Sequence, residues 1–233
     1  MSVQTSFSRP NHRRSSPAPA NPNPMKVITV RQAVLDIWND FNRPLEGRVH
    51  FMYLDVKGLV TTGLGNLIDS TADAEQLAWQ HADGTPASTD EIDAEWERVK
   101  GRTDLAPKGG GAFAADAQLF LADEEIDRVV LLKLGQMETT LKGRAPFAAL
   151  DDAPADAQLG LMSMAWGMGP MFAFPKFQDF VAAGDWDGAS MECRFQPDIG
   201  TITTRNDRDQ QLFRNAATVV RDGLDPDVLV WAP

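Results

Sequence analysis

Three side chains that can carry protons or hold water lie close together in residues 45 to 66, which read LEGRVHFMYLDVKGLVTTGLGN. Glu46 follows an apolar helical pattern and precedes an aromatic run, which predicts a partly desolvated carboxyl group. Burial favours the protonated form of a carboxyl, and a general acid needs that form. Asp55 and Thr61 follow on a predicted hairpin that faces Glu46 across a gap.

Two carboxyl groups that flank a gap can cleave a glycosidic bond. One protonates the leaving oxygen, and the other serves as base, nucleophile or stabiliser of the oxocarbenium-like transition state. The hydroxyl of Thr61 could orient the attacking water, since it both donates and accepts hydrogen bonds. Gly63 and Gly65 would let a bulky polymer approach the backbone closely. The same residue types also occur in ordinary surface loops, so the spacing alone leaves that alternative open.

The elements that must position these residues are a helix and a short hairpin. Apolar residues recur at helical spacing in TVRQAVLDIWNDF, with Thr29 predicted to cap the helix and Pro44 to interrupt the chain after it. Residues 49 to 62 are rich in Val, Phe, Tyr and Thr, with a glycine at position 58, which favours a short antiparallel hairpin or meander over a long helix.

The remainder of the chain reads as helical. Residues 89 to 100 carry a capping-box pattern, and the acidic stretch ADEEIDR predicts the start of another helix. KGGGAF between them reads as a linker, and residues 156 to 169 are apolar nearly all round, which is typical of a buried central helix. The predicted fold class is therefore α+β and mainly helical.

The composition of the chain restricts which partners and cellular locations are expected. The chain has 233 residues, of which 43% are hydrophobic, and its single cysteine, Cys193, is expected to be a buried apolar residue. A net charge of −11 disfavours nucleic acid and anionic membranes as partners. Residues 1 to 24 are rich in Pro and Ser and predict a disordered tail without a signal peptide. No apolar run is long enough for membrane insertion, so we expect a soluble protein made in the cytoplasm.

The order of these residues resembles the active-site segment of phage-type lysozymes, glycoside hydrolase family 24. The matching pattern is Glu46-Gly47, Tyr53-x-Asp55, Gly58 and then Thr61-x-Gly63-x-Gly65. The catalytic acid, carboxylate and threonine of that family map onto Glu46, Asp55 and Thr61. Many members have a histidine after the last glycine, where this chain has Asn66.

The resemblance continues downstream. LGLMSMAWGMG (159 to 169) is similar to the central helix of the family, and FPKFQDFVAAGDWDGAS is similar to the segment that follows it. TTRNDRDQQLF resembles the loop and helix that close the cleft, with Arg205 at the family's basic position. Residues of roughly 66 to 155 match poorly and carry an insertion.

This resemblance implies a lysozyme-like fold within residues 25 to 233. A small β lobe (about 46 to 70) and a larger helical lobe (about 112 to 222) would flank the active-site cleft. The implied activity is that of an inverting N-acetylmuramidase, with Glu46 as general acid, Asp55 as the carboxylate that positions water, and Thr61 as a water-orienting group. No metal or organic cofactor is implied. The implied substrate-binding residues are Tyr53, Gly63, Gly65, Asn66 and Arg205.

The implied partner is the glycan strand of peptidoglycan in the periplasm or cell wall. Because an acidic protein is repelled by anionic envelopes, we expect delivery by a holin-type lesion, a phage particle or a secretion machine. An immunity protein stays open as a further partner. Two alternatives remain open: a lytic transglycosylase acting on the same bond, and an inactive peptidoglycan-binding or virion module.

Three arginines have open roles at this stage. Arg205 and Arg208 either pair with Glu46 or the acidic stem peptide, or they anchor their loop. Arg48 either contacts Glu46 or lies in solvent. The tryptophans that lie on apolar helical faces, Trp38, Trp96 and Trp166, are expected in the core rather than on a sugar-binding surface.

Overall fold

The computed structural model describes residues 28 to 231, which form a mainly helical α+β fold. The helices are α1 (Gln32–Glu46), α2 (Thr71–Ala74), α3 (Thr89–Lys100), α4 (Asp123–Lys142), α5 (Ala155–Met168), α6 (Pro175–Ala183), α7 (Trp186–Glu192) and α8 (Thr201–Asp222). The strands are β1 (Val49–Leu54), β2 (Val60–Gly63), β3 (Asn66–Leu67), β4 (Trp79–Gln80) and β5 (Phe120–Leu121). The predicted tail at residues 1 to 24 lies outside the described residues, and the predicted lobe boundaries stay a prediction.

Helix α1 delivers Glu46 to the site. Its apolar stripe is buried as predicted, but the helix begins at Gln32, so the prediction of Thr29 as its cap is wrong. The backbone N–H of Thr29 instead donates to Glu138 at 3.0 Å, and its hydroxyl donates to Asp151 at 2.7 Å. Pro44 does not interrupt the helix, because the carbonyl it leaves without an amide partner belongs to an exposed turn that water can reach.

The predicted hairpin is confirmed and gains a third short strand. Strands β1 and β2 pair antiparallel with Tyr53 opposite Thr61, and β3 pairs antiparallel with β2. Met52 and Leu54 are buried while Tyr53 between them is half-buried, as strand alternation requires. A second sheet of two residues per strand, β4 with β5, was not predicted, because such short strands carry no periodic signal.

The predicted helices downstream are present. Ser88 and Glu91 form the capping box of α3, and α4 begins with the acidic residues at 123 to 125. Helix α5 is buried from Ala155 to Trp166 and packs mainly against α8 and α1. Cys193 is buried, and burial raises the pKa of its thiol to about 12, which fits an apolar residue rather than a nucleophile. None of the helices within residues 28 to 231 has the length and hydropathy to cross a bilayer.

The interpretation of KGGGAF as a free linker is wrong. Residues 106 to 113 form two short 3₁₀ turns, Ala106–Lys108 and Gly110–Phe113, and the second packs against β1. The side chain of Phe113 is buried in the core. The stretch is therefore part of the surroundings of the hairpin.

Candidate active site

Glu46 is the last residue of α1 and reaches the rim of a pocket of about 310 Å³. Its carboxylate pairs with the guanidinium of Arg205 across 2.5 Å, and about a quarter of the side chain (26%) is exposed. Gln196 and Thr201 add polar groups to the pocket lining, beside apolar Leu45 and Phe195. A carboxylate at a concave, partly polar surface is placed to meet a ligand.

Arg205 is held in place from several sides. It is only 4% exposed, and its Nη1 donates to the carbonyl and hydroxyl oxygens of Ser163 at 3.1 Å each. The same nitrogen lies 3.4 Å from the amide oxygen of Asn42. Gly167 makes room for the arginine, since a Cβ there would lie 3.1 Å from Arg205 Cδ. Of the roles left open for Arg205, the structure shows the ion pair with Glu46.

The two other arginines do not join this pair. Arg208 donates to the carbonyl of Phe41 at 2.6 Å and lies over its ring, so it anchors α8 to α1. Arg48 pairs with Asp123 at 2.7 Å and with Asp127 at 2.9 Å. It therefore neither contacts Glu46 nor lies free in solvent.

Asp55 closes the turn of the hairpin. Its Oδ1 accepts the backbone N–H of Lys57 at 2.8 Å and that of Leu59 at 2.9 Å. Gly58, at φ 76°, supplies the left-handed residue of this turn and donates to the Asp55 carbonyl at 2.9 Å. Within residues 28 to 231 no hydrogen bond reaches Asp55 Oδ2, so this oxygen is the one available to water or a substrate.

Tyr53 and Thr61 lie opposite each other on the hairpin, on the face to which alternation also assigns Asp55. Thr61 is 5% exposed, and its hydroxyl donates to the Leu59 carbonyl at 3.2 Å. Burial, followed by the negative charges of Glu46 and Asp55, raises the pKa of Tyr53 to about 12. The charges of Glu46 and Asp55 therefore both act on this phenol.

The glycine-rich turn at Gly110 covers the ring of Tyr53. A Cβ on Gly110 would lie 3.1 Å from Tyr53 Cδ2 and 3.3 Å from Cε2, so the close approach depends on glycine. Sequence reasoning missed this contact. Its only signal was the run of three glycines, which is equally typical of a spacer.

Of the two predicted glycines, Gly65 brings the backbone close to Glu46. Gly65 has φ 70°, and a Cβ there would lie 3.1 Å from Glu46 Oε2. Gly63, at φ 61°, has its missing Cβ directed at the Ile126 side chain, 3.5 Å away, so it faces the core rather than the pocket. Asn66 pairs with Thr62 in the short strand β3, directly after Gly65.

A further cation near Glu46 was missed by sequence reasoning. Lys133 of α4 donates to the Gly65 carbonyl at 2.9 Å. In the sequence it is one lysine in an amphipathic helix, and nothing in the local pattern distinguishes it from a solvent-exposed residue.

A second pocket, of about 330 Å³, lies between the 3₁₀ turns at 145 to 152 and the helices α6 to α8. Its lining is mostly apolar and includes none of the predicted site residues. Glu46 and Arg205 line the pocket of about 310 Å³, so that pocket is the candidate site. No protein-family model matches this chain, and no curated protein matches it with statistical significance.

Proposed function

We propose that this protein is a peptidoglycan-degrading N-acetylmuramidase with a lysozyme-like arrangement of a small hairpin lobe and a larger helical lobe. The reaction is hydrolysis of the β-1,4 bond between N-acetylmuramic acid and N-acetylglucosamine. The observation that carries the proposal is the ion pair between Glu46 and Arg205 in the lining of the pocket.

Glu46 takes the role of general acid. In the free protein its carboxylate is ion-paired, so it must gain a proton before it can protonate the leaving oxygen. The exposed quarter of the side chain gives solvent a route by which that proton can arrive. Arg205 keeps the carboxylate at one position because its own guanidinium is fixed by Ser163.

Asp55 takes the role of the carboxylate that orients water. Two backbone N–H groups fix one of its oxygens, so the direction of the other is fixed as well. The Thr61 hydroxyl already donates to Leu59, which leaves its lone pairs to accept a hydrogen bond from the attacking water. A water held on the side opposite the acid would give inversion at the anomeric carbon.

The acidic balance of the chain bears on how it meets its substrate. A net charge of −11 means that an anionic envelope repels the protein at long range, and this repulsion is stronger at low salt. The proposal therefore includes delivery through a membrane lesion, a phage particle or a secretion machine. Clearance of peptidoglycan added in trans should accordingly become faster as ionic strength rises.

The test compares the wild-type protein with Glu46→Gln on purified peptidoglycan. The glutamine keeps an oxygen acceptor for Arg205 but cannot deliver a proton, so turbidity loss should slow by about 10²–10⁴-fold while the melting temperature stays close to that of the wild type. Exposed Asp36→Asn on the same helix is the control and should clear peptidoglycan at the wild-type rate. Equal clearance by wild type and Glu46→Gln would contradict the assignment of the acid.

A lytic transglycosylase is the second candidate, and one observation favours it. Asp55 and Thr61 both have structural duties in the hairpin, and Thr61 is almost fully buried. A transglycosylase needs the acid but no activated water. The hydrogen bonds of Asp55 and Thr61 within the hairpin would therefore not impair its reaction. The two activities differ in their products by one water, which mass analysis of the released fragments detects.

A further inference from the structure

Lys133 lies at a junction between α4, α5 and the turn that carries Gly65. Its Nζ donates to the Gly65 carbonyl at 2.9 Å and lies 3.9 Å from the ring centroid of Trp166. A cation at this distance over an indole is attracted by the ring quadrupole. The ammonium is therefore held by a carbonyl dipole on one side and an aromatic face on the other.

The Gly65 carbonyl connects Lys133 to the predicted acid. Gly65 is the residue whose missing side chain lets the backbone lie against Glu46, with 3.1 Å between an added Cβ and Oε2. Any movement of the Gly65 turn toward or away from α4 therefore changes the space around this carboxylate. Lys133 is the side chain that ties the turn to α4.

Electrostatics also connect the two side chains. Burial lowers the pKa of Lys133 to about 8, the nearby charge of Arg205 acts in the same direction, and the Glu46 carboxylate opposes both. The amine is thus mainly charged at neutral pH. Arg205 from α8 pairs with Glu46, and the charge of Glu46 also acts on Lys133 from α4 and on Tyr53 from β1.

We propose that Lys133 is a positioning residue for Glu46, which fixes the Gly65 turn against the carboxylate and adds a second positive charge beside it. The inference rests on the proposed function in one respect, namely that Glu46 is the acid. A purely structural role is the poorer account, because an uncharged side chain of the same length would pack on Trp166 without desolvating an ammonium.

The activity test compares Lys133→Met and Lys133→Arg with a matched surface control, Lys176→Met, whose side chain is 78% exposed. Loss of positioning should lower kcat of Lys133→Met by about 10- to 100-fold with KM nearly unchanged. Lys133→Arg keeps the charge and should recover most of that loss, and Lys176→Met should match the wild type. Unchanged kcat in folded Lys133→Met, or a loss explained by a smaller folded fraction, would overturn the inference.

A second measurement needs no catalysis. The side-chain amine of Lys133, followed by NMR with labelled lysine, should titrate near pH 8 in the wild type, and its midpoint should fall in Glu46→Gln because the opposing negative charge is gone. An identical midpoint in both proteins would overturn the coupling whether or not the protein cleaves glycans. If the wild type releases no fragments from peptidoglycan, the proposed function fails, and the titration still decides whether Lys133 and Glu46 interact.

Discussion

Glu46 and Asp55 are the two carboxylates of the proposed mechanism, but different kinds of groups hold them. Glu46 ends a helix and is held by the guanidinium of a buried arginine, 2.5 Å away. Asp55 follows a strand and is held by two backbone N–H groups of its own turn, at 2.8 and 2.9 Å. A contact between side chains can rearrange when substrate binds, whereas a contact to the backbone moves only with the turn.

The difference between their contacts suggests that the two carboxylates have different chemical roles. The proposed acid must change its protonation state during the reaction, and its ionic partner Arg205 lies at a pocket where a ligand can intervene. The proposed water-orienting group must stay charged and keep its direction, which its amide contacts favour. Breaking each set of contacts separately tests this account.

Apart from the slower clearance expected of Glu46→Gln, the largest effect in this comparison is expected at Asp55. Asp55→Asn keeps a carbonyl oxygen for the two N–H groups but removes the charge, so it should fold normally and lose about 10²-fold in kcat. Asp55→Ala removes the acceptor as well and should also lower the free energy of unfolding by about 1–2 kcal/mol. Denaturant unfolding and glycan cleavage measured on both variants separate the two duties. Full activity in Asp55→Asn would reduce Asp55 to a turn residue and favour the transglycosylase.

The next effect is expected on stability at Arg205. Arg205→Met leaves Glu46 without its partner and leaves Ser163 and Asn42 without the cation they surround, which should lower the free energy of unfolding by about 2–3 kcal/mol. Arg221→Met, on the exposed side of the same helix, is the control and should cost less than about 1 kcal/mol. The urea midpoints measure both, and equal midpoints would show that the Arg205 cluster contributes nothing to stability.

A smaller effect is expected in the titration of Tyr53. The chain has one tyrosine, so phenolate absorbance reports Tyr53 alone. The phenol pKa is raised from 10.0 to about 12, so the folded state holds its proton more tightly. This contribution to stability is therefore complete below pH 10 and is lost as pH rises toward 12.

The same titration compares the two carboxylates directly. Glu46→Gln should lower the Tyr53 midpoint more than Asp55→Asn does, because the charge of Glu46 has the larger influence on the phenol. Circular dichroism recorded alongside identifies the pH range in which each variant stays folded. A midpoint near pH 10 in folded wild-type protein would contradict both the burial of the phenol and the influence of the two carboxylates on its pKa.

Local patterns predicted the elements better than the contacts between them. The hairpin, the capping box of α3 and the buried helix α5 follow from alternation, a cap and an unbroken apolar surface within single segments. The start of α1 was misplaced because Thr29 bonds to Glu138, far along the chain. No local pattern could have revealed that partner.

The candidate site shows the same limit. Glu46, Asp55 and Thr61 were identified within one short stretch, and the pairing of Arg205 with Glu46 was one of the alternatives suggested by resemblance. The contacts of Gly110 with Tyr53 and of Lys133 with Gly65 join segments that are distant in the sequence. No repeating pattern of residues in the sequence indicates such contacts. Both contacts involve residues from the stretch of about 66 to 155, to which the resemblance assigned no site residue other than Asn66.

The most direct measurement of the central claim is the mass of the fragments that wild-type protein and Glu46→Gln release from purified peptidoglycan. The account predicts fragments from the wild type that end in hydrated, reducing N-acetylmuramic acid, and almost none from Glu46→Gln. Fragments that are lighter by one water would identify a transglycosylase. Wall binding by both proteins without any released fragment would contradict the catalytic account and leave a peptidoglycan-binding module in its place.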